Sequence, residues 1–317
     1  MLMRILMGLF VLTAGVAVSA AQQQSRVTQV IVPFGPGGSG DIIMRLMAQY
    51  LGEKRNQTVV VETKPGANGI IGMQAALNAP ADGNTWVVAS TSTFAANPSL
   101  FKRLPYDVDK DFSLVGVLNA GGAYMLVRPE APYRSVADLV AFAKASKEQM
   151  TYGYFNASSQ VPGAILGKMA GITMVPVPYK QISNAIADLM SGQIHVIFAD
   201  TVAGDSYVAS GTLRALAVTS AKRLKKHPDL PALAETYPDF VTEGLIGVAV
   251  RSGTPQQDKL RINQLFNEAM GFPAVRARIE DMGFSPTFMS VEECESLARS
   301  QRQRWKEYVS LAGIEPQ

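Results

Sequence analysis

Residues 31–41 form the stretch of the sequence best suited to bind an anion. An apolar run ends at Pro33, four glycines follow, and apolar residues then recur at helical spacing. Glycines let a ligand approach backbone N–H groups closely. The first turn of a helix adds unpaired N–H groups and the positive end of the helix dipole. The sequence therefore predicts an anion-binding turn between a strand and a helix.

The same turn also fits a dinucleotide-binding site. Gly35, Gly37 and Gly40 have G-x-G-x-x-G spacing, and Glu62 ends the next apolar run, where such sites place an acidic residue. Two prolines in and beside the turn remove backbone donors that a pyrophosphate would need, which makes an NAD-dependent oxidoreductase the weaker hypothesis. A third alternative is a turn whose glycines only allow the strand and helix to pack.

Few other residues could carry out catalysis. His195 stands among alternating strand residues and His227 precedes a proline, so we expect both to be structural or exposed. Cys294, the only cysteine, has acidic neighbours that oppose thiolate formation. The sequence has no zinc, calcium or nucleophile-elbow motif. It therefore predicts no catalytic residue, no metal site and no cofactor.

The start of the chain has the layout of a secretory signal peptide. Arg4 precedes an apolar stretch over 5–18, and small residues follow. We expect cleavage near Ala20 or Ala21, which would remove residues 1–21 and leave the protein in the periplasm. The formal net charge of +3 is close to neutral, so we expect no nucleic-acid partner.

Strands and helices position the candidate binding residues. Their sequence patterns alternate along the chain in two blocks. Such alternation predicts an α/β fold in which ligands lie beyond the carboxyl ends of strands. Polar residues indeed follow predicted strands. They form a Ser/Thr run over 90–93, a polar turn over 156–160 ahead of a helix over 163–170, and the pair Asp200 and Thr201.

Several separated motifs resemble one protein family. Residues 32–45 resemble P-F-x-P-G-G-x-x-D-x-x-x-R, and residues 59–69 resemble V-V-V-E-N-[RK]-P-G-A-x-G with Thr63 in place of Asn. Further matches follow in order at 81–85, 97–98, 104–112, 177–180, 188–193 and 214–220. In these motifs the chain resembles the Bug-type receptors, which are extracytoplasmic solute-binding proteins of tripartite tricarboxylate transporters.

The resemblance implies a two-lobe periplasmic-binding-protein fold of type II, a Venus flytrap clamshell. Its α/β lobes would contain mixed, mostly parallel sheets flanked by helices, and a ligand would lie between them. One lobe would comprise residues 27–125 and 225–317, and the other residues 126–224. The resemblance further implies a monomer that closes by a hinge and delivers its ligand to membrane permease subunits.

The resemblance also implies which residues bind a small organic carboxylate, mainly through backbone N–H groups and water. In the first lobe they are Phe34, Gly35, Gly37, Gly38, Asp41, Ser90, Thr91, Ser92 and Thr93. In the second lobe they are Ser158, Ser159, Gln160, Tyr179, Asp200 and Thr201. We expect selectivity to come from a few placed hydrogen-bond donors and not from a salt bridge, because the sequence forces no Arg or Lys into the cleft loops. An exported enzyme or a sensor acting on a similar carboxylate remains the alternative function.

Departures from the family pattern fall in the second lobe. Gln181 stands where Gly is usual, Asn184 where Pro is usual, and residues 157–162 replace G-S-x-x-H-L. Because the second lobe would contact the part of the ligand beyond the carboxylate, these changes bear on which ligand is bound. Asp200 has two interpretations: it accepts a hydrogen bond from a ligand amine or hydroxyl, or it caps the helix that follows.

Overall fold

The computed structural model describes residues 27–120, 122–146 and 149–317, and the expected signal peptide at 1–21 lies outside them. The strands are β1 (Thr28–Val32), β2 (Val59–Thr63), β3 (Thr85–Ser90), β4 (Phe112–Ala120), β5 (Ala123–Val127), β6 (Met150–Tyr154), β7 (Met174–Pro178), β8 (Val196–Asp200), β9 (Arg214–Val218), β10 (Gly244–Arg251) and β11 (Ser285–Pro286). The helices are α1 (Ser39–Arg55), α2 (Ile70–Leu77), α3 (Asn97–Leu100), α4 (Val108–Asp111), α5 (Val136–Ala145), α6 (Ala157–Ala170), α7 (Ile182–Ser191), α8 (Thr201–Ala209), α9 (Gln256–Gly271), α10 (Pro273–Asp281) and α11 (Val291–Ala312).

The first sheet has the strand order β11-β4-β10-β3-β1-β2. Strand β1 runs parallel to β2 and β3, and β10 runs antiparallel to β3 and β4. Val30, Val32 and Val88 are buried on one side of it and Ile31 and Val87 on the other. Both faces are therefore covered, and the central strands read as continuous apolar runs instead of alternating ones.

The second sheet has the order β7-β6-β8-β5-β9. Strand β6 runs parallel to β7 and β8, while β5 runs antiparallel to β8 and β9. Each sheet thus carries an antiparallel strand, β10 or β5, that enters directly from the other half of the molecule. The result is the expected two-lobe α/β architecture with two mixed sheets flanked by helices.

The chain crosses between the sheets twice, from β4 to β5 and from β9 to β10. Thr219 joins the two crossings and is fully buried. Its Oγ1 accepts from Ala123 N at 2.8 Å and donates to the Thr242 carbonyl at 2.9 Å. Thr242 N returns a bond to the Thr219 carbonyl at 2.9 Å. These bonds hold the two connecting segments side by side.

Helix α11 packs against both halves of the molecule. Cys294 and Ala298 in its first half lie in an apolar cluster of the first sheet. Trp305, Val309 and Ala312 in its second half share a cluster with residues of α6 and the second sheet. The helix therefore connects the two lobes through their apolar interiors.

Candidate functional site

Residues from both sheets enclose a cavity of about 110 Å³. It lies where β1, β3 and β8 end, at Val32, Ser90 and Asp200. Of the predicted site residues, those that line it are Phe34, Gly35, Gly38, Asp41, Ser90, Thr91, Ser92, Ser158 and Asp200. Those that do not line it are Gly37, Thr93, Ser159, Gln160, Tyr179 and Thr201.

The N-terminus of α1 opens on this cavity without a side-chain cap. Gly38 is its N-cap residue, and the first bond into the helix runs from Ile42 N to the Gly38 carbonyl at 3.1 Å. The N–H groups of Ser39, Gly40 and Asp41 find no acceptor in the described part of the chain, and all three residues line the cavity. Because this 17-residue helix also directs the positive end of its dipole there, this wall is suited to an anion.

Asp41 organises the glycine turn. Its carboxylate is buried, and Oδ2 accepts from Gly37 N at 3.1 Å while Oδ1 accepts from Arg45 Nε at 2.8 Å. The ion pair with Arg45 offsets the negative charge that Asp41 brings to the cavity. Gly37 has φ +82°, in the left-handed region that favours glycine. Gly37 therefore shapes the turn from behind the cavity wall.

The Ser/Thr run after β3 forms the N-cap and start of a π-helical segment, Thr91–Ala96. Ser90 caps this segment, because its Oγ accepts from Thr93 N and its N–H donates to Thr93 Oγ1, both at 3.2 Å. These bonds turn Thr93 into the protein interior. Ser92 Oγ instead accepts from Ala157 N at 3.1 Å, so it links the first lobe to the second.

Helix α6 begins at Ala157, six residues before the predicted start. Asn156 Oδ1 accepts from Ser159 N at 2.9 Å, and Ser159 Oγ accepts from Asn156 N at 3.2 Å. The polar residues predicted to form a turn therefore form a capping box. Because they belong to a packed helix, Ser159 and Gln160 are buried and do not reach the cavity.

Asp200 lines the cavity and also caps α8. Its Oδ1 accepts from Val202 N at 3.1 Å and from Ala203 N at 3.0 Å. No other residue of the described chain donates a hydrogen bond to Oδ2. Burial raises the pKa of the Asp200 carboxyl, against the opposing effect of the capped N–H groups. The helix-cap interpretation is thus observed, and a role in accepting a bond from a ligand stays a prediction for Oδ2.

Tyr179 and Thr201 are engaged elsewhere. Tyr179 OH donates to Asp188 Oδ2 at 2.7 Å. Burial, followed by the effect of Asp188, raises the pKa of Tyr179 to about 12. Thr201 Oγ1 donates to the Met282 carbonyl at 3.1 Å and so bridges α8 and the end of α10. Both hydroxyl groups support the cavity wall from outside.

Other residues that were not predicted to bind the ligand also line the cavity. They include Phe155, Asn156, Lys180, Gln181, Ile182, Thr242, Glu243, Gly244, Phe284 and Trp305. Lys180 lines the cavity, although the sequence did not force an Arg or Lys into the cleft loops. It and Gln181 follow β7 closely, so the rule that ligands lie beyond strand ends could have identified them. Trp305 comes from the distant helix α11 and has no local signal of this kind.

The histidines and the cysteine lie away from the cavity lining. His195 Nδ1 lies 2.9 Å from Thr151 Oγ1, and His227 Nε2 lies 3.2 Å from Asp205 Oδ1. Burial, then the neighbouring glutamates, raises the pKa of Cys294 to about 12. Across residues 27–120, 122–146 and 149–317, no three Asp, Glu, His or Cys side chains converge as a metal site requires. In those same residues no helix is long and apolar enough to cross a membrane.

A family model described as "Tripartite tricarboxylate transporter family receptor" matches residues 43–314. Protein BugT of Bordetella pertussis is 31% identical over 312 residues, which cover 96% of this chain and 96% of that protein.

Two solved structures have the same fold. The R. palustris protein Rpa4515 with adipate matches with a TM-score of 0.88 and 27% identity, over 93% of this chain and 99% of that one. The periplasmic binding protein BugD matches with a TM-score of 0.86 and 26% identity, over 92% of this chain and 99% of that one.

Proposed function

This chain belongs to the tripartite tricarboxylate transporter family of receptors, and we propose that it captures a small organic carboxylate between its two lobes. The family is one of substrate-binding receptors and not of enzymes, so the NAD-dependent oxidoreductase is no longer a candidate. The relative described with adipate supports a carboxylate ligand, since it covers nearly the whole chain.

The observation that carries the proposal is the uncapped N-terminus of α1 in the cavity wall. Of the helices that begin at the cavity, α6 is capped by Asn156 and α8 by Asp200. Helix α7 also begins there without a side-chain cap, but at the exposed residue Gln181, whereas α1 presents Ser39, Gly40 and Asp41, none of them exposed, whose N–H groups have no acceptor in the described chain. A ligand carboxylate would accept from Ser39, Gly40 and Asp41 N–H and satisfy them all.

We assign the rest of the ligand to the second lobe. Apart from Asn156, which caps α6, the polar side chains of this lobe in the cavity lining are Ser158, Lys180, Gln181 and Asp200. In this assignment Asp200 Oδ2 accepts from a ligand hydroxyl or amine. The ligand class would then be a carboxylate that carries a hydrogen-bond donor.

Closure would occur by rotation about the two chain crossings at Thr219. The division that we propose keeps residues 27–125 and 225–317 in one lobe and 126–224 in the other. The membership of β5 to β9 in one sheet supports crossings near these boundaries. Delivery to membrane permease subunits and export by a cleaved signal peptide are further parts of the proposal, supported by the family to which the chain belongs.

Calorimetric titration with paired ligands tests this function. Adipate and its diamide have nearly the same shape, but only the acid carries the charge that unpaired helix N–H groups favour. We expect short dicarboxylates to bind and their diamides to bind at least about tenfold more weakly, a difference of about 1.4 kcal/mol. Equal binding of both forms would contradict a carboxylate receptor. So would chemical conversion of the bound ligand, detected when the ligand is recovered from denatured protein.

A further inference from the structure

The cavity opens to solvent beside the segment that follows β7. Of the described residues that line it, only Lys180 and Gln181 are exposed, whereas the others are half-buried or buried. A residue that is both exposed and part of the lining must stand at the rim. Lys180 and Gln181 therefore mark the mouth of the cavity on the second lobe.

Gln181 reaches across this mouth and touches the first lobe at Gly35. A Cβ placed on Gly35 would lie 3.2 Å from Gln181 Oε1 and 3.3 Å from Gln181 Cβ. These distances are shorter than ordinary van der Waals contacts, so a side chain on Gly35 would require Gln181 to shift by a few tenths of an ångström. Gly35 does not have a positive φ, so backbone strain would not oppose a side chain there, and the contact with Gln181 is the constraint.

The Gln181 side chain is available to interact with a ligand. Gln181 is the N-cap residue of α7 but makes no side-chain cap bond, and its carboxamide has no hydrogen-bond partner among the described residues. A carboxamide can donate and accept. At this position it would contact the end of a ligand whose carboxylate lies on α1.

We propose that Gln181, packed against Gly35, closes the mouth of the cavity and so sets the longest ligand that the protein binds. This inference rests on the proposed carboxylate receptor function. It also gives the departure from the family's usual Gly at position 181 a physical role, since a glycine there would leave the mouth open.

A double-mutant cycle on Gly35 and Gln181 tests the inference, with calorimetry on unbranched dicarboxylates from succinate to suberate. Gln181→Gly should extend binding to longer members than the wild type accepts. Gly35→Ala should weaken binding about tenfold, because its Cβ displaces Gln181 from the closed mouth. In the double variant Gly35→Ala/Gln181→Gly this loss should fall below about twofold. Gly52→Ala, whose Cβ would have only Gln57 O at 4.0 Å, is the matched control and should bind as the wild type does.

An unchanged length limit in Gln181→Gly, or the same loss from Gly35→Ala in both backgrounds, would overturn the inference. If the wild type binds no member of the series, the proposed function fails. Thermal unfolding of the wild type, the two single variants and the double variant then tests whether Gly35 and Gln181 are in contact. A fall in Tm from Gly35→Ala that the second substitution relieves supports the contact between Gly35 and Gln181. Equal falls in both backgrounds refute it.

Discussion

At the scale of single residues, Gly37 controls the shape of the anion-binding turn. A Cβ there would meet no atom within 4 Å, so the positive φ of +82° is the only barrier to a larger residue. Gly37→Val should lower the affinity for every carboxylate about tenfold. A β-branched residue in left-handed backbone is strained by about 1–3 kcal/mol. Calorimetry over the dicarboxylate series measures the effect.

Gly37→Asn is the matched control, since Asn adopts left-handed backbone far more readily than Val does. It should retain most of the affinity. If Gly37→Val instead kept its affinity and changed the preference among ligands, the turn would be selecting ligands and not simply holding their common carboxylate.

A second prediction concerns the charge of Asp200. The pH dependence of Tm distinguishes the effect of this charge from the effect of the side chain's shape. Since burial raises its pKa in the folded state, the protonated form is favoured there. Its contribution to stability is present below the unfolded pKa, about 3.9, and is lost as pH rises through the folded value. Asp200→Asn keeps an oxygen for the cap and removes the charge. It should therefore raise Tm at neutral pH, and the gain should shrink as the pH falls towards 4.

Binding measurements on the same variant test the ligand contact. The wild type should prefer malate or aspartate, which carry donors, to succinate, and Asp200→Asn should lose that preference. A wild type that binds both kinds of ligand equally, with no change in the variant, would assign Asp200 to the helix cap alone. A gain in Tm that did not depend on pH would contradict the role of its charge.

At the scale of helices and strands, the sequence predicted the strand-turn-helix around residues 31–41 correctly but misplaced the start of α6. Asn156 and Ser159 are typical of both turns and helix caps, and Pro162 usually marks a boundary. Local patterns cannot separate these cases. The capping bonds, together with Ala157 N donating to Ser92 Oγ of the other lobe, decide between them.

Besides backbone bonds, the hydroxyl group of Thr219 connects the paired chain crossings. Thr219→Val keeps the shape and removes both side-chain bonds, which leaves Ala123 N without its acceptor. We expect a loss of about 1–3 kcal/mol in the free energy of unfolding, measured by urea denaturation. Thr58→Val is the control, because Thr58 is exposed. Equal effects of the two substitutions would show that the Thr219 bonds do not stabilise the crossings.

At the scale of the whole molecule, the alternating blocks and the family motifs predicted two lobes, and the fold confirms them. The resemblance to Bug-type receptors is confirmed as well by the family match and by BugT. The sequence did not predict that α11 joins the lobes. Trp305 of this helix shares an apolar cluster with the distant residues Val161 and Ile165 of α6. Contacts between residues so far apart leave no periodic signal.

The central claim is that a ligand carboxylate binds on the open N-terminus of α1. Amide spectra of protein labelled with ¹⁵N at Ser and Gly, recorded with and without adipate, test this most directly. We predict that the amide protons of Ser39 and Gly40 move downfield on binding, because they gain an anionic acceptor. Unchanged Ser39 and Gly40 signals, with the large shift instead at Ser158 in α6, would contradict the claim.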